Sequence, residues 1–464
     1  MRTLCMILLV VAAGTAIADE MVSLRPFETP DPLAGWPNAA FSADGSRMAC
    51  YLDQTIYVYE DGVFTGIGAG DPLNSQIWIS ADGTVVVSSS AGPNGVITPT
   101  IWREADGWAP THLGSLPDAP PCDNSYGTGY ACNEDGSVVV GLAWDDGCQA
   151  VAFAWTAETG MVDIGGVRAS TISPSGTTIA GFTDNAGGGG RLPVYWTLEA
   201  DGTYSEPIPI GGDEGWGECW GTSYHGDIVV GEFTDWTVPS QAFLYTEAEG
   251  IRWLGTAEDD ETHSSMANFI TNDGKVIGRS GTSGPWGMMY ASIWRDGQGM
   301  QYLEDYIVAN ATELPDGFED GFLRWTIGIS ADGSIALVQW MDDFWNTQYY
   351  LVEFESSVSI EGEDPIDDIV SPASLQLAQN YPNPFNPMTT IEFALPSTQS
   401  VQLAIYDLAG RQVRTLVSGE TAAGEHAVVW DGRDTRGNAV PSGTYLYRLQ
   451  TDSQIRLRTL TLLK

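Results

Sequence analysis

A short turn motif recurs along most of the chain, and it limits the folds that the chain can adopt. Each copy has an apolar residue or Cys, then Ser, Thr or Asn, two residues that end in Asp or Ser, and Gly. Copies lie at 41–45, 79–83, 132–136, 172–176, 270–274 and 329–333, with a degenerate one at 223–226. Asn and Asp tolerate the left-handed backbone of tight hairpin turns and Gly favours it, so the motif predicts a repeated β-hairpin.

The spacing of the motif predicts a β-propeller. Successive motif glycines stand 38, 53, 40, 50, 48 and 59 residues apart, and most copies are followed by an aromatic residue about five positions before another turn glycine. Each repeat then holds four short strands, which is typical of a propeller blade. We therefore predict an all-β chain with a seven-bladed β-propeller at 19–354. Its last blade lies near 325–354, and a strand near 21–37 helps to close the ring.

The repeats resemble those of two propeller families. Turns of the Ser-x-Asp-Gly type, Val-Val-Gly strands and aromatic strands are similar to bacterial extracellular propeller repeats of the HAF type, and the first copy resembles TolB-like repeats. The motif differs from the sialidase Asp-box, which has a residue between Asp and Gly. The resemblance implies a fold and says little about activity.

The last part of the chain predicts a second, smaller domain. Val401, Leu403 and Ile405 alternate with polar residues, as do Val428 and Trp430, and turn clusters separate the two patterns. Several short strands in this length are typical of an Ig-like β-sandwich, which we place at 373–464.

This domain resembles the C-terminal sorting domain of the bacterial type IX (Por) secretion system, and also the Ig-like domain of flagellar hook-capping proteins. The positions that carry the resemblance are Asn380, Tyr381, Pro382, Asn383, Pro384, Phe385, Asn386, Pro387, Gly410, Gly443 and Lys464. The resemblance implies that the type IX machinery is a partner and that the protein is secreted or attached to the outer cell surface.

The N-terminal segment agrees with export. Arg2, an apolar run and the Ala16-Ile17-Ala18 sequence predict a signal peptide at 1–18. No later stretch is long and apolar enough for a transmembrane helix. An acidic stretch at 355–372 predicts an extended linker between the two domains.

Net charge limits the classes of partner that the chain can bind. The chain carries −42, and residues 1–371 alone carry 11 basic and 54 acidic groups, a net −43. Such a field repels nucleic acid and anionic membranes, so we exclude a nucleic-acid role. The acidic groups are dispersed, which favours a solvated surface, with calcium as the alternative interpretation. No other cofactor is expected, and no histidine pair has metal-binding spacing.

Antiparallel hairpins alternate between two faces, so the variable loops should share the face opposite the turn motif. Aromatic rings beside carboxylates on these loops suit a polysaccharide or a protein ligand, although blade packing also uses tryptophan. The candidate ligand-binding residues are Trp144, Asp145, Asp146, Arg191, Asp213, Trp216, Trp236, His263, Trp286, Trp340, Asp342, Asp343 and Trp345.

Five cysteines follow the predicted signal peptide, and export permits disulfides. Cys122 and Cys148 stand almost symmetrically about one turn, so we predict a bridge between them. Cys50 and Cys132 are expected to be buried strand residues.

No sequence motif requires catalysis, and the adjacent acidic pairs have no catalytic spacing. The sequence favours a non-catalytic binding protein. The alternative is a secreted hydrolase of glycans or peptides, which would need two carboxylates, or a carboxylate and His263, converging in a central funnel.

Overall fold

The structure is a computed structural model, and it describes two compact units, 1–359 and 360–464. The described residues are 21–28, 38–71, 76–184, 190–212, 214–258, 260, 262–282, 288–355, 376–377, 389–395, 399–407, 411–421, 424–430, 432–433, 435, 440–451 and 455–462. The predicted signal peptide and nearly all of the predicted linker lie outside this set.

The described part of the first unit forms seven antiparallel sheets of four strands. Strand β1 (Met21–Pro26) precedes sheet 1, which holds β2 (Asn38–Phe41), β3 (Arg47–Leu52), β4 (Thr55–Glu60) and β5 (Val63–Ala69). Sheet 2 holds β6 (Trp78–Ile79), β7 (Val85–Ala91), β8 (Ile97–Arg103) and β9 (Pro110–His112), and sheet 3 holds β10 (Gly127–Cys132), β11 (Val138–Trp144), β12 (Ala150–Thr156) and β13 (Gly160–Asp163). Sheet 4 holds β14 (Arg168–Ile172), β15 (Thr178–Asp184), β16 (Arg191–Thr197) and β17 (Ile208–Pro209).

The remaining three sheets follow the same order. Sheet 5 holds β18 (Trp216–Thr222), β19 (Val229–Thr234), β20 (Gln241–Thr246) and β21 (Gly250–Gly255), and sheet 6 holds β22 (His263–Ile270), β23 (Val276–Thr282), β24 (Met289–Arg295) and β25 (Gly299–Tyr302). Sheet 7 holds β26 (Gly321–Ile329), β27 (Ile335–Asp342) and β28 (Thr347–Glu355), and β1 pairs with β28 as its fourth strand. One α-helix, α1 (Leu303–Asn310), and two 3-10 helices, Glu104–Asp106 and Phe318–Asp320, complete the described elements of the unit.

The recurrent motif forms the turn between the first two strands of each sheet. In sheet 2, Ser80 Oγ donates to Asp82 Oδ1 at 2.5 Å and accepts from the backbone N–H of Val85 at 2.9 Å. Gly83 takes a φ of +72°, which glycine adopts without strain. The motif is therefore a hydrogen-bonded turn that fixes the start of the second strand.

Backbone hydrogen bonds join the turns of neighbouring sheets. Ala43 donates to Ala81 at 2.9 Å, linking sheets 1 and 2, and Asp332 donates to Ala43 at 2.9 Å, linking sheet 7 back to sheet 1. Apolar cores lie between successive sheets, and one of them joins Met48 and Cys50 of sheet 1 to Leu337 of sheet 7. Successive four-stranded sheets packed in this way are typical of a β-propeller. The all-β prediction is confirmed.

The described part of the second unit is a β-sandwich. Its strands are β29 (Gln376–Leu377), β30 (Thr389–Leu395), β31 (Gln399–Asp407), β32 (Gln412–Thr421), β33 (Gly424–Trp430), β34 (Gly443–Thr451) and β35 (Ile455–Leu462). They form a three-stranded sheet in the order β29-β30-β33 and a four-stranded sheet in the order β32-β31-β34-β35. Val401, Leu403, Ile405 and Trp430 are buried between them, as the alternation predicted.

Candidate functional site

A cavity of about 290 Å³ opens where the first strands of all seven sheets meet. Side chains line it at a fixed distance from the turn motif: Ala39, Ile77, Tyr130, Ser170, Trp220, Asn268 and Ile327 each stand three residues before the Ser, Thr or Asn of their turn. We call this cavity the central channel. It is a concave site with aromatic walls and a few polar groups, the usual form of a ligand pocket.

β-Bulges present several of these residues to the central channel. The pairing register shifts around Tyr130, Ser170, Trp220 and Asn268 in the first strands of sheets 3 to 6. A bulge adds one unpaired residue to a strand and re-aims its side chain. In each of these four sheets, a bulge therefore places one residue at the channel wall, while the turns of the recurrent motif remain alike.

Beside the channel, Glu218 is fully buried and ion-paired with two arginines. Its Oε1 accepts hydrogen bonds from Arg168 and, at 2.8 Å, from Ser170, and its Oε2 lies 3.2 Å from Arg191 Nη1. Arg168 also stacks on Tyr130, with 5.0 Å between its Cζ and the ring centroid. Burial lowers the pKa of Arg168, although its guanidinium stays paired.

A second buried carboxylate stands directly opposite the first. Glu232 on β19 is the register partner of Glu218 on β18, so the two side chains share one face of sheet 5. Glu232 is 4% exposed, its Oε2 accepts from Ser240 at 2.9 Å, and its Oε1 makes no hydrogen bond of normal geometry to a described residue. Burial raises its pKa, against the opposing influence of the Ser240 hydrogen bond and the charge of Arg279.

Two further arginines extend this group. Arg279 on β23 packs on Trp325 at 4.9 Å and directs Nη2 at the sulfur of Met266 at 2.8 Å. Arg324 is the extra residue of a bulge in β26, and its Nη1 contacts Met288 sulfur and the carbonyl of Met289, both at 3.3 Å. Burial lowers the pKa of Arg279, the negative charge of Glu232 opposes this, and the like charge of Arg324 adds to it. We call Arg168, Arg191, Arg279 and Arg324, with Glu218 and Glu232, the channel charge cluster.

Two of the predicted loop carboxylates accept hydrogen bonds from the backbone of the turns that contain them. Asp145 Oδ1 accepts from the backbone of Gly147 and Gln149, and Asp342 Oδ1 accepts in the same way from Phe344 and Asn346. The Asn346 side chain also lowers the pKa of Asp342. Asp146 and Asp343 are exposed beside them.

The predicted tryptophans divide into three groups. Trp236 and Trp345 are both 66% exposed at loop tips, and Trp144 and Trp216 are half-buried at strand ends. Trp340 requires a correction, because it lies inside β27, is 5% exposed and donates Nε1–H to the carbonyl of Phe318 at 2.9 Å. It is a core residue.

His263 begins β22 and is 9% exposed, with Nδ1 3.5 Å from Glu258 Oε2. It does not line the central channel. Of the predicted residues that the structure describes, Arg191 alone joins the channel charge cluster. Asp213 and Trp286 lie outside the described residues, as do the sorting-motif positions 380–387, Gly410 and Lys464; Gly443 is described and begins β34.

Cys122 and Cys148 form a disulfide, with their Cα atoms 5.8 Å apart. It ties the loop between sheets 2 and 3 to the central loop of sheet 3. Cys50, Cys132 and Cys219 are buried free thiols, and burial raises the pKa of Cys50 to about 12. These thiols are therefore unreactive core residues.

The sequence analysis did not predict the channel residues, although the sequence contains a signal for them. Aligning the repeats on the turn motif and reading three positions upstream gives one variable residue per sheet amid small and apolar neighbours. Tyr130, Trp220 and Asn268 stand out in that column. The Glu218–Glu232 pair had no such signal, because it depends on strand register.

Fold and site together define a β-propeller protein with a C-terminal Ig-like domain. Residues 387–454 match the model of the FlgD Ig-like domain family. The chain is 46% identical over 55 residues to the basal-body rod modification protein FlgD of Salmonella typhimurium, which covers 12% of this chain and 23% of that protein. The chain thus spans under a quarter of the curated relatives it matches.

Solved structures similar to the chain include β-propellers. The propeller domain of the trilobed protease from Pyrococcus furiosus is 12% identical, with a TM-score of 0.44, covering 70% of this chain and 99% of that one. TolB from Acinetobacter baumannii is 9% identical, with a TM-score of 0.36, covering 69% of this chain and 64% of that one.

The described residues contain one α-helix and two 3-10 helices. None of the helices there has the length and apolar character needed to cross a membrane. Within the same residues, His, Cys, Asp and Glu do not form a group of three or more that could hold a metal ion.

Proposed function

We propose that this chain is a secreted or cell-surface protein that binds a ligand without transforming it. Its seven sheets serve as the seven blades of one closed ring, and the central channel is the binding site. The observation that carries this proposal is the channel wall, where bulges present Tyr130, Trp220 and Asn268 beside Arg168. Flat rings with polar neighbours suit sugar rings, and polysaccharide is the ligand class that we favour over protein.

Substitution of Trp220 tests the site. The full chain is applied to a glycan array, with calcium and with a chelator, and product formation is followed in parallel. We expect Trp220→Ala to weaken binding by about tenfold or more. Trp253→Ala is the matched control, because Trp253 is 51% exposed on the outer strand β21. Equal loss in both variants would refute the channel as the site, and a requirement for calcium would establish it as a cofactor.

We further propose that the type IX machinery exports the chain and reads the Ig-like domain as its sorting signal. The sorting-motif positions and the predicted signal peptide support this route. A chain ending at Ser371 is expected to remain in the periplasm while the full chain reaches the medium or the cell surface. Fractionation with immunoblotting distinguishes the two, and export of the shortened chain would refute the proposal.

A hydrolase is the second candidate, and the Glu218–Glu232 pair is the observation that favours it. Paired carboxylates in environments that favour different protonation states are typical of acid–base catalysis. Glu232 would act as the acid and Glu218 as the ionised partner. In that case a wild-type chain releases product from a bound glycan and Glu232→Gln abolishes release, whereas Asp146→Asn does not. Binding without product in the wild type removes this candidate.

A further inference from the structure

Positive charge is concentrated in one place in a strongly acidic molecule. The whole chain has 61 acidic and 19 basic groups, yet the channel charge cluster brings four arginines together with only two glutamates. With both glutamates ionised, its net charge is +2. In a protein rich in carboxylates, such an excess is not explained by a need for internal pairing.

Two of these arginines, both half-buried, lack a close carboxylate partner. Among the described residues, neither Arg279 nor Arg324 has a carboxylate within ion-pair distance; their polar contacts are two methionine sulfurs and one backbone carbonyl. Sulfur is a weak acceptor, whereas a guanidinium offers five N–H donors in a planar fork. The charge of Glu232 acts on Arg279 from beyond ion-pair distance. One such counterion for two neighbouring arginines leaves an excess of positive charge, and a ligand that supplies negative charge is the simplest compensation.

The position of Arg324 connects this charge to the channel. In sheets 3 to 6, the extra residue of each bulge lines the cavity. Arg324 is likewise the extra residue of a bulge in β26 of sheet 7. This bulge lies farther from the motif turn than Ile327 does, and therefore nearer the face of the variable loops. Arg168 lines the cavity itself, beside Tyr130 and Trp220. The cavity wall thus offers aromatic rings for a flat apolar surface and one guanidinium group, that of Arg168. Arg279 and Arg324 stand outside the lining of the cavity, where they can meet an anionic substituent that extends from a ring bound in the channel.

We propose that the central channel recognises an anionic sugar residue, with Arg279 and Arg324 binding the acidic group and Tyr130 and Trp220 packing on the ring. Planar carboxylates and sulfate esters both match the guanidinium fork, and either can supply the charge. This inference rests on the proposed binding function and names its ligand class.

The test compares ligands that differ only in charge. Oligogalacturonate is titrated calorimetrically into the full chain, beside the same oligosaccharide fully methyl-esterified, which keeps the rings and loses the charge. A sulfated oligosaccharide of equal length separates the two sources of negative charge, and oligoglutamate tests a peptide ligand. We expect at least one anionic oligosaccharide to bind about tenfold or more tightly than the ester.

Variants assign the binding to the arginines. Arg279→Gln and Arg324→Gln should each weaken binding by about 10- to 100-fold, the value of a charge-assisted hydrogen bond. Arg324→Lys keeps the charge but lacks the planar fork of donors, so its affinity should lie between that of Arg324→Gln and that of the wild type. Arg252→Gln is the matched control, since it removes one equal charge from an exposed pair with Asp296. Thermal melting establishes that each variant is folded before it is titrated.

The outcomes separate the two proposals. Equal binding of acid and ester, or wild-type binding by both glutamine variants, overturns the anionic class and leaves a glycan-binding channel. Binding of oligoglutamate alone assigns the site to an acidic peptide, and failure of every anionic ligand to bind also overturns the inference. Release of product from any ligand contradicts the non-catalytic function itself.

Discussion

Glu232 shows how a single side chain can be held where its charged form is disfavoured. The carboxyl group is nearly inaccessible to water, and one of its oxygens makes no hydrogen bond of normal geometry within the described part of the chain. Burial raises its pKa in the folded state above the value in the unfolded chain. The folded state therefore binds this proton more tightly. Its effect on stability is most favourable below the unfolded pKa and becomes unfavourable as pH rises through the folded pKa.

Replacing Glu232 should reveal this linkage. We expect Glu232→Gln to raise the free energy of unfolding at neutral pH by about 1–3 kcal/mol, because the amide needs no ionisation in a buried site. The gain should shrink as pH falls below the folded pKa, where the wild-type group is already neutral. Denaturant unfolding across pH measures it. Glu319→Gln, which alters an exposed carboxylate, is the control; a gain of equal size there, or none in Glu232→Gln, would contradict the account.

At the scale of the turn and the strand, two glycines of sheet 3 separate backbone strain from crowding. Gly136 and Gly160 have almost the same φ, +65° and +67°. A Cβ on Gly136 would stand 2.6 Å from Val85 Cγ1 of sheet 2, whereas one on Gly160 would meet no described atom within 4 Å. The first belongs to the recurrent motif and the second to the outer hairpin. The motif glycine is thus needed for the fit between sheets as well as for the turn.

Alanine at these two positions should have unequal effects. Gly160→Ala is expected to cost about 1–2 kcal/mol, the penalty of a left-handed backbone for a residue with Cβ. Gly136→Ala carries the same penalty and about 1–3 kcal/mol more, because Val85 must move in a packed interface. Chemical denaturation of both variants gives the difference. Equal losses would mean that the sheets adjust freely at this contact.

The repeat made the strands and turns predictable because a turn motif is local chemistry: Ser80 and Asp82 bond within five residues. Features that need two distant segments were not predictable. Trp340 looked like part of a loop because Asp342 follows it, but its indole is buried against Phe318 of another segment. Likewise, Glu218 and Glu232 oppose each other only because of a register with a bulge between Cys219 and Gly221. The position of Trp220 relative to the motif would have been enough to predict that it lines the channel. The charged residues near it could be identified only from the packing of the sheets.

At the scale of the whole molecule, net charge should govern response to salt. Charges of one sign repel across the surface, and mobile ions screen this over about 10 Å at 0.1 M ionic strength. We expect the Tm of the full chain to rise with ionic strength equally in NaCl and KCl. Differential scanning calorimetry measures this, with CaCl2 and a chelator compared at fixed ionic strength. A rise specific to micromolar calcium would instead identify a bound cation.

The pairing of β1 with β28 has a consequence for the timing of folding. The side chains of Ser23 and Glu353 meet although they lie 330 positions apart in the sequence. At roughly 5–20 residues per second of synthesis, the first strand of the unit waits roughly 15–65 s for its partner. Throughout that interval the nascent chain presents an unpaired strand at one end and an incomplete sheet at the other. The last residues of the unit to be made thus decide when its first ones become ordered.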